Sequence, residues 1–213
     1  MPSPDAAPIP AVILAGGEGR RLGGVDKAFV PLGGRALIEQ VVARLAHQVA
    51  AIAISANGDP ERFARLGLPV LPDPVAGRPG ERRGPLAGLL AGLDWAAADW
   101  PEARRLLTVP VDCPFLPTDL AARLAAAGGA GEVVLAASGG RRHPVAALWP
   151  VGLAASLRTG LGDGSLRKVE AFALAQPHKA VEWSTAPFDP FLNINTAEDL
   201  AAATALLGAP LGR

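Results

Sequence analysis

Residues 11–27 read Ala-Val-Ile-Leu-Ala-Gly-Gly-Glu-Gly-Arg-Arg-Leu-Gly-Gly-Val-Asp-Lys, an apolar run that breaks into glycines interspersed with cations. Glycines let backbone N–H groups turn toward a ligand and let that ligand come close. The guanidinium groups of Arg20 and Arg21 and the ammonium of Lys27 suit a polyphosphate. The plainer alternative is a glycine-rich turn with solvated arginines. A Walker loop would end in Gly-Lys-Ser/Thr, whereas Gly24 is followed by Val25-Asp26-Lys27. A dinucleotide fingerprint would need glycine or alanine where Leu22 stands. The spacing predicts a strand-to-loop phosphate site of another type.

Asp112 is the second candidate, closing the apolar run Val109-Pro110-Val111 ahead of Cys113-Pro114-Phe115. A magnesium–nucleotide site needs one or two carboxylates, with phosphates and waters completing an octahedron. The alternative is a turn aspartate before Pro114, and the glycine loop favours the metal. Asn57 and Asp73 also follow strand patterns and can reach the same crevice, although each type is common in turns. Asn193 and Asn195 share a face if 191–196 is extended, where paired amides can hold a ligand or a metal's water. The alternative there is a turn ending in a Thr196 cap. His143 follows a glycine turn and has no nearby serine or cysteine partner, which leaves a hydrolase triad unsupported. His47 and His178 read as surface residues. Cys113 is the only cysteine, so an internal disulfide and a cysteine zinc site are excluded, and it reads as a buried packing residue.

These residues need elements to hold them. Strand patterns cover Ala11–Leu14, Ala51–Ser55, Pro69–Leu71, Arg105–Val111, Val133–Ala137, Val145–Trp149 and Ala180–Trp183. Helical patterns cover Ala36–Leu45, Pro60–Leu66, Gly84–Trp95, a Thr118-capped run to Ala127, Gly152–Leu161, Ser165–Leu174 and a Thr196-capped run to Leu207. Gly139-Gly140 is the expected turn between two of the strands. This alternation predicts an α/β fold with a mainly parallel sheet and helices on both faces. Ligands of such sheets bind beyond the carboxyl ends of the strands, where the loop after Leu14 and the end after Val111 both lie.

At 213 residues the chain suits one domain with a substantial core, half of it hydrophobic but only 5% aromatic. With 20 basic and 20 acidic residues it carries no net charge, which argues against nucleic acid or a membrane surface as partner. No apolar run approaches membrane-spanning length. Met1–Pro10 holds four prolines and no apolar segment, and so reads as a flexible or polyproline-like lead rather than a signal peptide, with the cytoplasm as the expected setting.

Taken together, Leu14-Ala15-Gly16-Gly17, Arg21, Gly23-Gly24-x-Asp26-Lys27, Gly84-Pro85-Leu86-Ala87-Gly88, Asp112-x-Pro114-x-Leu116-Pro117, His143-Pro144 and Asn193-Ile194-Asn195-Thr196-x-Glu198-Asp199-Leu200 resemble the molybdenum cofactor guanylyltransferases. The order is kept from about Ala11 to Leu207. The resemblance implies a Rossmann-like nucleotidyltransferase fold, with one domain over 11–207 between the 1–10 lead and a 208–213 tail. It also implies transfer of GMP from Mg-GTP to the terminal phosphate of molybdopterin or its molybdenum-loaded form. By that resemblance Leu14, Ala15 and Gly16 hold guanine and ribose through backbone groups, within a nucleotide loop that includes Gly17. Arg21 and Lys27 neutralise phosphates, Asp112 binds Mg2+, and Asn57 and Asp73 contact the nucleotide. His143, Asn193 and Asn195 fall on the acceptor side. The implied partners are GTP, the molybdopterin or molybdenum cofactor, molybdenum-insertion proteins and recipient molybdoenzymes.

Two departures stand out: Leu22 replaces the family's usual methionine, and the Asp73–Gly84 loop is longer than usual. With Arg78, Arg82 and Arg83, residues 76–84 are expected to close over triphosphate. An acceptor phosphate is already anionic near neutral pH, so the chemistry asks for positioning and charge stabilisation rather than a base. The rivals are a cytidylyltransferase, whose motif places alanine where Gly16 stands, a sugar-phosphate nucleotidyltransferase, and a carrier without catalysis. Lys27 and Asp112 together weigh against the carrier.

Overall fold

The computed structural model describes residues 7–16, 26–74 and 84–208. Along β1 (Pro10–Leu14), Ala11 and Ile13 pack into one hydrophobic cluster and Val12 into another. That two-residue alternation with apolar side chains on both faces marks a strand covered on both sides. Accordingly β1 pairs in parallel with β4 (Ala51–Ser55) and β6 (Arg105–Pro110), and β4 pairs in parallel with β5 (Val70–Leu71).

On the far side of β6 the direction changes. β8 (Arg141–Pro150) runs antiparallel to both β6 and β7 (Val133–Ser138), while β9 (His178–Trp183) is parallel to β7. The seven-stranded order is β5-β4-β1-β6-β8-β7-β9. Reversing β8 brings its first residues to the edge where β6, β7 and β9 end. The β7–β8 turn uses Gly139 and Gly140 at φ +55 and +75, a doubly left-handed turn that matches strand twist.

Helices α1 (Leu37–Leu45) and α3 (Leu120–Ala127) cover one face together with Phe63, and α2 (Gly84–Asp99), α4 (Ala154–Gly162) and α5 (Val169–Leu174) cover the other. α2 lies unusually close to the sheet. A Cβ on Gly88 would stand 2.5 Å from Ser55 Oγ, and one on Gly92 would stand 2.7 Å from Val12 Cγ1. A smaller cluster joins Leu32 of the ribbon β2 (Pro31–Leu32) and β3 (Arg35–Ala36) to Phe115, Ile194 and Ala203 of α6 (Ala197–Gly208).

Several boundaries differ from the sequence reading for local reasons. The helix expected over Ser165–Leu174 begins at Val169, because Ser165 N–H donates to Asp163 and Leu166 N–H donates back to Gly160. Asp119 rather than Thr118 precedes α3, and its carboxylate accepts the Trp183 indole N–H at 3.0 Å. β8 starts at Arg141 rather than Val145. Its pairing with β7 slips between Leu135 and Ala136, so Pro144 falls in the irregular stretch where its missing N–H costs no ladder bond. Among the described residues no helix is long and apolar enough to cross a membrane.

Candidate active site

The carboxyl edge of the sheet sets the candidate residues in a row: Asp73 beyond β5, Asn57 beyond β4, Gly16 beyond β1, Asp112 beyond β6, and His143 near the start of β8. Gly17, Arg21 and residues 75–83 lie outside the described residues. Sheet hydrogen bonding continues past β1, since Ala15 N–H donates to Ser55 O at 2.9 Å and Val111 N–H donates to Leu14 O at 3.2 Å. This leaves the Ala15 carbonyl and both Gly16 backbone groups without partners among the described residues. Gly16 is exposed, and a Cβ there would meet nothing within 4 Å. Leu14 and Ala15 thus form the floor, and Gly16 is the open step above it.

Lys27 is delivered by a short 3-10 turn, Lys27–Phe29. Asp26 caps the turn by accepting from Ala28 N–H at 3.1 Å and pairs with the Arg62 guanidinium, while Phe29 packs on Phe63. The Lys27 ammonium then lies 2.5 Å from Asp112 Oδ2 and 2.5 Å from Asn195 Oδ1. The side chains of Lys27 and Asp112 are only 12% and 16% exposed. Asn195 is set by its surroundings. Ile194, fully buried, donates its N–H to Asp112 O at 2.9 Å, and the Thr196–Asp199 reciprocal cap opens α6 directly behind. The Asn195 backbone N–H, followed by that of Thr196, holds the Asp199 carboxyl below its ordinary value.

Cys113 is buried, and its thiol donates to Asn193 Oδ1 at 2.9 Å. Burial, reinforced by the Asp112 charge, pushes that thiol well up, which removes it as a nucleophile. The two asparagines therefore flank Ile194 and brace the Asp112–Cys113 corner, Asn195 through Lys27 and Asn193 through the thiol. Asn57 and Asp73 pair with each other: Asn57 Nδ2 donates to Asp73 Oδ2 at 2.7 Å and Asp73 N–H donates to Asn57 Oδ1 at 3.0 Å. Their hydrogen bonds do not reach the Lys27 group.

His143 does have a serine partner, contrary to the sequence reading. Ser138 Oγ stands 2.7 Å from His143 Nε2, because the hairpin folds residues five apart onto each other. A triad remains unsupported: Ser138 is 1% exposed and its hydroxyl donates to Asp189 Oδ1 at 2.8 Å. The His143 ring stacks on Phe191 with centroids 4.6 Å apart. Burial pushes the imidazole below 6.5, with Arg141 adding and Asp189 and Glu182 opposing. Asp189 and Ser138 were missed in the sequence. Their only signals were a serine closing the strand before Gly139-Gly140 and an Asp-Pro-Phe step before the asparagine pair.

The donor set suits a hard cation that arrives with phosphate. Asp112 supplies one carboxylate, the Asn195 amide oxygen stands beside it, and a single ammonium already touches both oxygens. Among the described residues no group of three or more His, Cys, Asp or Glu side chains could cage a metal alone.

A sheet of this order, with a lysine–carboxylate pair where β1 and β6 end, defines the nucleotidyltransferase class. Residues 11–179 match the family described as a MobA-like NTP transferase domain. The chain is 51% identical over 205 residues to a molybdenum cofactor guanylyltransferase of Rhodopseudomonas palustris (strain BisB5), covering 95% of this chain and 96% of that one. It belongs to the molybdenum cofactor guanylyltransferase family. A crystal structure of molybdopterin-guanine dinucleotide biosynthesis protein A from Archaeoglobus fulgidus shares the fold at a TM-score of 0.69 and 22% identity, covering 94% and 99% of the two chains. So does a 4-diphosphocytidyl-2C-methyl-D-erythritol synthase from Anaerococcus prevotii, at 0.71 and 17% identity, covering 94% and 96%. Nucleotidyltransferases of this family typically use a divalent metal ion.

Proposed function

We propose that the chain transfers the guanylyl group of Mg-GTP to the terminal phosphate of molybdopterin or its molybdenum-loaded form, at the edge formed by Gly16, Lys27 and Asp112. The observation that carries this reading is the Lys27 ammonium poised between the Asp112 carboxylate and the Asn195 amide at the ends of β1 and β6. The acceptor phosphate oxygen attacks the α-phosphorus. A new P–O bond forms as the bond to the β,γ-diphosphate breaks, and pyrophosphate leaves with the electron pair.

Both reacting groups are anions, so the protein's task is to hold them together and to meet charge as it develops. Lys27 can exchange the Asp112 and Asn195 oxygens for phosphate oxygens without leaving its braced turn. Arg21 supplies a second cation from the glycine loop. Gly16 and the Ala15 carbonyl, whose backbone groups take no partner among the described residues, offer those groups to guanine and ribose, and Asn57 and Asp73 line the same edge as one bridged unit. Asp112 would hold Mg2+, which supplies charge neutralisation and orientation of the triphosphate. Asn193, Asn195 and His143 face the acceptor. Molybdenum-insertion proteins and recipient molybdoenzymes are the proposed protein partners, in the cytoplasm.

Pyrophosphate release, measured with magnesium and molybdopterin and with GTP, CTP and ATP in parallel, tests the reading. Release with GTP alone and only with molybdopterin is expected. Release with CTP overturns the base assignment. Tight GTP binding with no release overturns catalysis.

A further inference from the structure

The Ser138–His143–Asp189 chain takes no part in charge neutralisation, yet it occupies the same edge as the reaction. Its hydrogens can be assigned from geometry. Asp189 Oδ1, as a carboxylate oxygen, only accepts. It receives Phe191 N–H at 2.9 Å and stands 2.8 Å from Ser138 Oγ. The single serine hydrogen must therefore point at Asp189, since two oxygens at that distance with no hydrogen between them repel. Ser138 Oγ then has only lone pairs left for His143 Nε2 at 2.7 Å, so the imidazole supplies that hydrogen. A neutral imidazole with its proton on Nε2 carries a lone pair on Nδ1. Nδ1 takes no partner among the described residues and is not sealed from solvent.

The local fold enforces this state. Phe191 covers one face of the ring, and the irregular β7–β8 pairing at Leu135/Ala136 redirects the strand next to His143. The charged groups facing the ring are Arg141, Asp189 and Glu182, and burial outweighs the two carboxylates and holds the imidazole below its ordinary value, which favours the neutral ring.

We infer that Ser138 and Asp189 are positioning residues that lock His143 with its proton on Nε2, so that Nδ1 accepts a hydrogen bond from an N–H group on the acceptor's pterin ring. The identity of that acceptor rests on the function proposed above, whereas the proton assignment does not. In this arrangement His143 is neither a phosphate-binding cation nor an acid. It reads a heterocycle edge that presents a donor, and it discriminates against an acceptor presenting a lone pair there.

Nitrogen NMR of the full-length protein carrying isotope-labelled histidine tests the lock directly, with the His143 signals assigned by their loss in His143→Asn. A neutral ring protonated on Nε2 at neutral pH is expected. A ring protonated on Nδ1, or an imidazolium, overturns the inference whether or not any variant folds. Ser138→Ala should abolish the single-tautomer signature and raise KM for molybdopterin about tenfold, as for one lost neutral hydrogen bond. KM for GTP should hardly move, and Ser138→Thr should restore both properties. An unchanged acceptor KM, or an equal rise for GTP, overturns the inference. Wild-type protein that transfers no GMP would overturn the function instead, leaving the tautomer result standing.

Discussion

Two polar groups share one sheet edge and are built on opposite plans. Lys27, Asp112 and Asn195 form a charged set whose shortest side-chain hydrogen bonds run to the Lys27 ammonium, with Lys27 and Asp112 partly open, so these contacts can be traded for ligand contacts. Ser138, His143 and Asp189 form a chain with a single direction, backed by a fully occupied carboxylate oxygen and a stacked phenylalanine. The first arrangement suits phosphate, whose charge is handled by mobile counter-charge. The second suits a neutral heterocycle, whose donors and acceptors must be met by groups with fixed hydrogens.

The largest effect should come from removing the exchangeable charge. Lys27→Ala and Asp112→Ala should each lower kcat by about a hundredfold or more, as for a lost transition-state charge partner. Neither should alter the His143 nitrogen signals. Near-normal turnover by either folded variant would remove that residue from the mechanism. Next comes the support beneath the first group. A Cβ on Gly88 meets Ser55 Oγ at 2.5 Å and Leu14 Cδ2 at 2.9 Å, so Gly88→Val should destabilise by about 1–3 kcal/mol in denaturant titration. It should weaken GTP binding while sparing the His143 tautomer, and a disturbed tautomer would show that the two groups are not separable.

A smaller effect concerns pH. The folded His143 pKa lies below 6.5, so the unfolded chain binds a proton that the folded chain does not. That contribution is complete above pH 6.5 and is lost as pH falls from there through the lower folded value. Stability measured across this window should flatten in His143→Asn, and an identical slope would place the linkage elsewhere. The smallest effect is at Cys113, whose buried, raised thiol should react with iodoacetamide only as fast as the protein opens. Rapid alkylation of the native protein would contradict the thiol's bracing of Asn193.

The charged group was legible in the sequence where its members announce themselves. Lys27 follows a glycine break and Asp112 ends a strand, where a polar side chain has few structural duties. Asn195 was read only as half of a paired-amide face on the acceptor side, and its bond to Lys27 across 168 residues has no sequence signal. The parallel half of the sheet was equally legible, since Ala51–Ser55 and the run to Leu14 are short apolar segments with one reading. The second group was not. Ser138 meets His143 because the two-residue turn pairs Ser138 with Arg141 and Ala136 with His143, a register that a strand read as starting at Val145 does not contain, and Asp189 arrives from 51 residues away in chain order. Periodicity carries no information about either. The helix expected from Ser165 failed because Asp163 and Gly160 offered those N–H groups nearer partners. Thr118 lost its place to Asp119, whose carboxylate a tryptophan indole holds across the fold.

The segment from Asp189 to Asn195 serves both groups. Phe191 lies against His143, Asn193 receives the Cys113 thiol, and Asn195 holds Lys27. Four peptide steps separate Phe191 from Asn195, a reach of about 14 Å at full extension. The segment is a caliper, with an aromatic jaw at one end and an amide jaw at the other. It fixes how far a ring held at His143 can lie from a phosphate held at Lys27. One residue inserted between Phe191 and Asn195 would reset that gauge while leaving both jaws chemically intact.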